Sequence, residues 1–291
     1  MGAPARHHLQ MALLAAKLLL APAFVVAASL AARRYGPRVG GLIAGLPVVA
    51  GPILLIYALE HGDRFAARAS VGALLGLVSL IAFVIVYARL APNGFWGHCT
   101  LAGWLAFAVA TALFSALHVG APVALAIAAL AFVIGLWLSP SPLSEPPEPD
   151  RPPAWDLPMR ASAALALVLA LTALAGWLGP KLSGLLTPFP IIATVLATFT
   201  HAQQGADSVR RMLRWLLAGY GAFALFCFVL AETLVPLGTA ASFGLAIGVA
   251  LVVQACVIAF VALRMAPPPT QDSSGSRWRT RSRISANRST S

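Results

Sequence analysis

The sequence predicts an all-α fold, a polytopic transmembrane bundle of about nine helices with an inverted internal repeat of three-helix units. Of the 291 residues, 59% are hydrophobic and 10% are charged, whereas a soluble domain carries about 25% charged residues. Uncharged runs of about 20 residues, enough to cross the hydrocarbon core of a bilayer, recur along the chain. The predicted spans are 11–32, 40–59, 70–88, 99–117, 121–138, 161–178, 182–201, 213–233 and 239–263.

Lysine and arginine are distributed unevenly over the loops between these spans. With nine spans, 15 of the 20 basic residues fall on one side of the membrane and 5 on the other. Positive charge favours the cytoplasmic side, so the N-terminus and Asp63 are predicted to lie outside, and Asp150 and the C-terminus inside. The net charge of +11 then reflects orientation in a lipid bilayer, and nucleic acid is not an expected partner.

Composition divides the chain into four segments. Residues 1–138 and 159–264 are the two predicted transmembrane halves. The linker between them, 139–158, contains eight prolines, which fix φ and remove backbone donors, so an extended cytoplasmic segment is expected. Residues 265–291 form a basic tail with too few apolar residues to fold. Its arginines are interpreted as a stop-transfer signal, with binding to anionic lipid headgroups as the alternative.

An internal repeat is the most informative feature of the sequence. Sliding the chain by 143 residues aligns 17–88 with 160–231 without a gap, and 18 of the 72 positions are identical. Shared positions include Gly36-Pro37 with Gly179-Pro180, Gly41-Leu42 with Gly184-Leu185, Pro47 with Pro190, Gly62 with Gly205, Arg68 with Arg211 and Gly76 with Gly219. Five spans, an odd number, separate the starts of the two copies. The second copy is therefore expected to enter the membrane from the opposite side.

A family resemblance accompanies the repeat. The stretch Ser183-Gly-Leu-Leu-Thr-Pro-Phe-Pro-Ile-Ile, followed by Gly205 and a helix opening with Arg210-Arg211, resembles the small bacterial GlpM-like membrane proteins. The first copy, Gly41-Leu-Ile-Ala-Gly-Leu-Pro, is similar but lacks the Phe-Pro pair. The resemblance implies two fused GlpM-like units with extra helices in a bacterial inner membrane. It implies an architecture and no substrate or catalytic residue.

The second helix of each copy is interrupted at equivalent depth. A proline inside a helix removes a hydrogen bond at a cost of about 3 kcal/mol, and in a membrane the freed carbonyls need a neighbouring helix or a wet cavity. Paired interruptions indicate the central site of a transporter, whereas close helix packing is the alternative. The interrupting residues, which are candidate substrate-binding residues, are Gly45, Pro47, Gly51, Pro52, Pro188 and Pro190. We expect Pro47 and Pro190 to face each other across a polar cavity.

Polar side chains accompany the second interruption. Thr187, Thr194 and His201 are spaced at seven residues and are expected to share one helix face. They are further candidate substrate-binding residues, because hydroxyl and imidazole groups on one face can border a cavity. Hydrogen bonding between helices, with a histidine at the membrane surface, is the alternative.

Function is predicted from architecture, because no catalytic, cofactor or metal-binding motif is found. No cofactor, metal site or enzymatic activity is therefore expected. We predict an integral membrane transporter or permease of a small solute or lipid-linked precursor, with its site at the paired broken helices. The alternative is a non-transporting accessory or scaffold subunit of an envelope biogenesis complex, because buried charge is unusually scarce for an ion-coupled carrier.

Overall fold

The computed structural model describes residues 19, 21–48, 50–139, 153–186 and 189–264. Every regular element within them is an α-helix, which confirms the predicted all-α class. The chain divides into two compact units, Met1–Ala255 and Cys256–Ser291, and of the second the structure describes residues 256–264. The helices are α1 (21–35), α2 (Pro37–Ala44), α3 (Ala50–His61), α4 (Asp63–Leu90), α5 (Trp96–Ser115), α6 (Ala121–Leu138), α7 (Asp156–Leu186), α8 (Ile191–Leu237) and α9 (Thr239–Arg264).

Five of the described helices are long and apolar enough to cross a membrane. They are α4, α5, α6, α8 and, over Thr239–Phe260, α9. The predicted span 40–59 is instead divided into α2 and α3, of 8 and 12 residues. At 1.5 Å per residue these helices are about 12 and 18 Å long, so neither crosses a core of about 30 Å alone.

The second copy differs from its predicted spans at the Gly179-Pro180 pair. A loop was expected there, between spans 161–178 and 182–201, but α7 continues to Leu186. The pair permits a break without requiring one, because glycine also adopts helical dihedrals and the fixed φ of proline is close to that of a helix. In addition, α7 begins at Asp156, inside the predicted linker 139–158.

Two glycines with positive φ precede the long helices of both copies. Gly62, with φ 84° and ψ 165°, precedes α4. Gly205, with φ 80° and ψ −179°, divides α8 into 191–204 and 206–237. Side chains rarely tolerate this conformation. The two positions are equivalent at the 143-residue offset, so the same turn occurs at the same place in each copy.

Arginine side chains join helix ends at one end of the bundle, which we call the arginine end. Its contacts link α1 to α7, α4 to α6, and α8 to the residue that follows α6. The pairs are Arg33 Nη2 with Asp156 Oδ2 (2.6 Å), Arg89 Nε with the Leu138 carbonyl (3.2 Å) and Arg214 Nη1 with the Ser139 carbonyl (3.2 Å).

A different contact lies at the other extremity of α4. The Thr239 hydroxyl, at the start of α9, donates to Asp63 Oδ1 at 2.6 Å, and we call this the Asp63 end. The 28 residues of α4 separate the two ends by about 40 Å. Helices α1 and α4 finish at the arginine end, whereas α7 and the 206–237 part of α8 begin there.

Three glycines bring α2 and α8 into backbone contact. A Cβ atom on Gly45 would lie 2.6 Å from the Gly219 Cα, and one on Gly41 would lie 2.6 Å from the Met212 carbonyl oxygen. A Cβ atom on Gly219 would lie 2.7 Å from the Leu42 carbonyl oxygen. Gly41 and Gly45 form a Gly-x-x-x-Gly pattern, which lets membrane helices approach closely. Gly45 therefore has a packing role.

Candidate functional site

A cavity of about 470 Å³ lies where the two interrupted segments meet. Three residues of the first interruption and three of the second line it: Gly45, Leu46, Pro47, Phe189, Pro190 and Ile191. The other walls come from α3, α4, the end of α5, and α8. The predicted site residues Gly45, Pro47 and Pro190 thus border one common space.

The walls of this cavity are mainly aliphatic and aromatic, in contrast to the polar cavity that we expected. The interruptions release few free backbone groups, because local turns satisfy them. The Gly51 amide donates to the Pro47 carbonyl at 2.8 Å, and the Thr194 amide donates to the Pro190 carbonyl at 2.8 Å. Each proline carbonyl therefore starts the next helix instead of facing a ligand.

Polar groups on the cavity wall are few, and among the described residues none of them is charged. They belong to Tyr57, Ser79, Thr111, Ser115 and Tyr220. The Ser115 hydroxyl donates to the Ala112 carbonyl at 2.8 Å. The buried hydroxyl oxygens of Ser79 and Thr111, in contrast, have no hydrogen-bond partner in the described part of the chain.

The cavity extends from the interruptions toward the Asp63 end. Phe65, the third residue of α4, and Leu117, just beyond α5, both line it. Residues at the arginine end, such as Tyr87 and Leu138, do not. Among the described residues, the lining of the cavity therefore does not reach the arginine end.

Other candidate residues of the interruptions lie away from the cavity or outside the described residues. Gly51 is buried, and a Cβ atom there would lie 3.4 Å from the Phe226 Cζ. Pro52 is half-buried and does not line the cavity. Thr187 and Pro188 lie outside the residues that the structure describes.

A polar face on residues 194–201 of α8 packs against α4 and α5 and forms hydrogen bonds with them. Thr194 and His201 both contribute to it, together with Thr198, which is in register with them. These side chains hydrogen-bond to neighbouring helices. This is the arrangement expected if they join helices, the alternative to substrate binding. The pairs are Trp104 Nε1 with Thr194 Oγ1 (3.0 Å), Thr100 Oγ1 with Thr198 Oγ1 (3.0 Å) and Tyr87 OH with His201 Nδ1 (3.3 Å).

A buried carboxylate at the arginine end was not predicted. The Asp156 side chain is 1% exposed, and Arg160 Nε lies 2.9 Å from both its oxygens. Gln203 Nε2 donates to Oδ1 at 2.5 Å, and Arg33 Nη2 donates to Oδ2 at 2.6 Å. The Arg160 guanidinium also lies 5.2 Å from the centre of the Phe199 ring.

Asp156 is ionised in this setting. Burial raises the pKa of the Asp156 carboxyl, but hydrogen bonds from Arg33, Gln203 and Arg160 outweigh burial and hold that pKa below its usual range. The sequence offered one signal for this cluster, the i, i+4 spacing of Asp156 and Arg160 just before an apolar run. The proline-rich composition of residues 139–158 had instead placed Asp156 in the predicted linker.

Comparison with known proteins gives one partial match. Residues 14–119 match a family model described as a protein of unknown function (DUF3147). The matched region contains the first copy of the repeat and α5. No curated protein matches the chain, and no solved structure does. The resemblance to GlpM-like proteins and the fusion of two such units remain predictions.

Proposed function

We propose that this chain is a membrane permease of two inverted repeats that carries a small solute or lipid-linked precursor through its central cavity. The supporting observation is that both interrupted segments, 45–47 and 189–191, line one cavity. In transporters with inverted repeats the binding site lies at the repeat interface, between discontinuous helices. The cavity volume of about 470 Å³ falls within the range of small-molecule sites, about 300–1,000 Å³.

The inverted repeat is supported by conformation and by direction. Gly62 and Gly205 have the same unusual dihedral angles at equivalent positions. Equivalent helices, such as α4 and the 206–237 part of α8, run in opposite directions between the two ends. Both features follow if two like units, as the GlpM-like resemblance implies, insert into the bilayer from opposite sides.

Alternating access gives a role to the contacts at the arginine end. The cavity reaches toward the Asp63 end, while the contacts of Asp156 with Arg33 and Gln203 join α1, α7 and α8 at the arginine end. Under the positive-inside rule the arginine end faces the cytoplasm and the Asp63 end faces outward in the inner membrane. The structure then corresponds to an outward-facing state, and release inward requires these contacts to separate.

Proline substitution tests this proposal. A deletion strain is profiled for growth and uptake across many solutes, and variants are then scored for complementation. Both prolines line the cavity, and replacing either one frees φ and removes the ring that forms part of the wall, so Pro47→Ala and Pro190→Ala should insert normally yet lose complementation. A change in the wall that removes about 1.4 kcal/mol of substrate binding lowers affinity about tenfold.

Pro122→Ala is the matched control for these variants. Pro122 lies in the first turn of α6 and does not line the cavity, so this variant should complement like wild type. If Pro47→Ala and Pro190→Ala also complement like wild type, the interruptions are packing features. The accessory or scaffold alternative would then replace the permease.

A further inference from the structure

We infer that the cavity binds an uncharged, mainly apolar molecule with one hydrogen-bonding head group, of the long-chain alcohol type, and that Ser79 and Thr111 bind the head group. The inference deepens the proposed function and rests on it only for the claim that the bound molecule is cargo. Of the cargo classes in the proposed function, the inference favours a lipid-like molecule over an ion or a charged solute.

Ser79 carries the argument. It is fully buried in α4 and lines the cavity, yet its hydroxyl has no partner among the described residues. A serine inside a helix usually donates to the carbonyl four residues earlier. Ser70, buried on the same helix, does so toward the Ala66 carbonyl at 2.9 Å. An unpaired buried hydroxyl is unfavourable unless something else satisfies it.

Thr111 provides a second group of the same kind on the cavity wall. It belongs to α5 and lines the same cavity, and its buried hydroxyl oxygen also has no partner in the described residues. Two unpaired hydroxyl groups on a shared cavity can together donate to and accept from one head group. A hydroxyl or carbonyl group on the ligand meets this need.

The remaining lining defines the rest of the ligand. No charged side chain borders the cavity within the described residues, so an ionised solute would lose its hydration without gaining a countercharge. Aromatic rings from α3, α4, α5, α8 and the second interruption offer apolar surface between the interruptions and the Asp63 end. The aromatic lining residues are Tyr57, Phe65, Phe114, Phe189, Tyr220 and Phe223. An alkyl chain fits this surface, with its head group at Ser79.

Photolabelling of the full-length protein in phosphatidylcholine nanodiscs tests the inference. The probe is dodecanol carrying a diazirine, and unlabelled dodecanol and dodecyl phosphate are the competitors. We expect crosslinks to residues of the cavity, displacement by dodecanol, and weak displacement by dodecyl phosphate. Equal competition by dodecyl phosphate, or crosslinks confined to the outer faces of the helices, would overturn the inference.

Two serine variants on one helix separate hydrogen bonding from general disruption. Ser79→Ala should weaken dodecanol binding about three- to tenfold, the range for one lost hydrogen bond, whereas Ser70→Ala should leave binding unchanged. Without the alcohol, Ser79→Ala should raise the melting temperature, because it removes an unsatisfied buried group. Thr111→Val provides a second test of binding. Wild-type affinity in both Ser79→Ala and Thr111→Val would overturn the inference.

This inference and the proposed function can fail independently of each other. Complementation by Pro47→Ala and Pro190→Ala does not depend on the polarity of the cargo. If the alcohol fails to bind but both proline variants lose complementation, the permease stands and its cargo is of another class.

Discussion

Asp156→Ala is expected to destabilise the protein by about 3–5 kcal/mol, because it leaves a buried cation without its partner. The Arg160 side chain is 5% exposed, so water cannot replace the lost carboxylate. Arg33 and Gln203 lose the same acceptor. The measurement is thermal or denaturant unfolding of the purified protein in nanodiscs.

Replacing Asp156 and Arg160 together with Leu and Met should be less damaging than Asp156→Ala, since no unpaired charge remains at position 160. A double variant as unstable as Asp156→Ala would contradict this explanation.

The same carboxylate gives a pH dependence with a defined sign. The pKa of Asp156 is lowered in the folded protein, so the unfolded chain takes up its proton first as pH falls. The contribution of Asp156 to stability is fully present above its unfolded pKa, about 3.9, and is lost as pH falls through the folded value. The wild-type melting temperature should fall below about pH 4, and Asp156→Asn should reduce that dependence.

Gly219→Ala is expected to destabilise the protein by about 1–3 kcal/mol, the range for overpacking a close contact. Its new Cβ atom would lie 2.7 Å from the Leu42 carbonyl oxygen and 2.9 Å from the Gly45 Cα. Both are backbone atoms, so α2 must move as a whole. Gly219→Leu should be more damaging, because the larger side chain needs further separation of α2 and α8.

Gly221→Ala, two residues further along α8, is the matched control. A Cβ atom on Gly221 would meet no atom within 4 Å, so alanine should be neutral or stabilising by about 0.5–1 kcal/mol. The unfolding curves of the two variants can be compared directly, because both variants replace a glycine of α8 with alanine. A Gly219→Ala protein as stable as wild type would contradict the close approach of α2 and α8.

The sequence was sufficient for features that depend on local pattern. Apolar composition predicted the helical class, and the two interruptions at Pro47 and Pro190 were located from the positions of glycine and proline. The continuation of α7 through Gly179-Pro180 was missed, because this pair is compatible with both a turn and a helix. Only the surroundings of the pair decide between the two conformations.

Contacts between distant helices could not be predicted from local pattern. Arg33 and Asp156 are separated by 123 positions, and no periodicity indicates which end of which helix they share. Thr194 was predicted as a candidate substrate-binding residue, and its bond to Trp104 depends on how α5 packs against α8. Likewise, the apolar lining of the cavity follows from which faces meet there, which a single sequence does not specify.

Cysteine accessibility in sealed vesicles tests alternating access at the cavity most directly. Gly72 lines the cavity, and a Cβ atom there meets nothing within 4 Å, so Gly72→Cys should fold without strain. The variant is made in a background without the native Cys99, Cys227 and Cys256. Exposed positions at the two ends provide the reference variants Glu60→Cys and Arg34→Cys.

A membrane-impermeant maleimide is applied to right-side-out and to inside-out vesicles. Glu60→Cys and Arg34→Cys should each react from one side only, and the two sides should differ. A permease with its site in this cavity predicts that Gly72→Cys reacts from both sides, as the cavity opens alternately. Reaction of Gly72→Cys from the Glu60 side alone would contradict transport through the cavity.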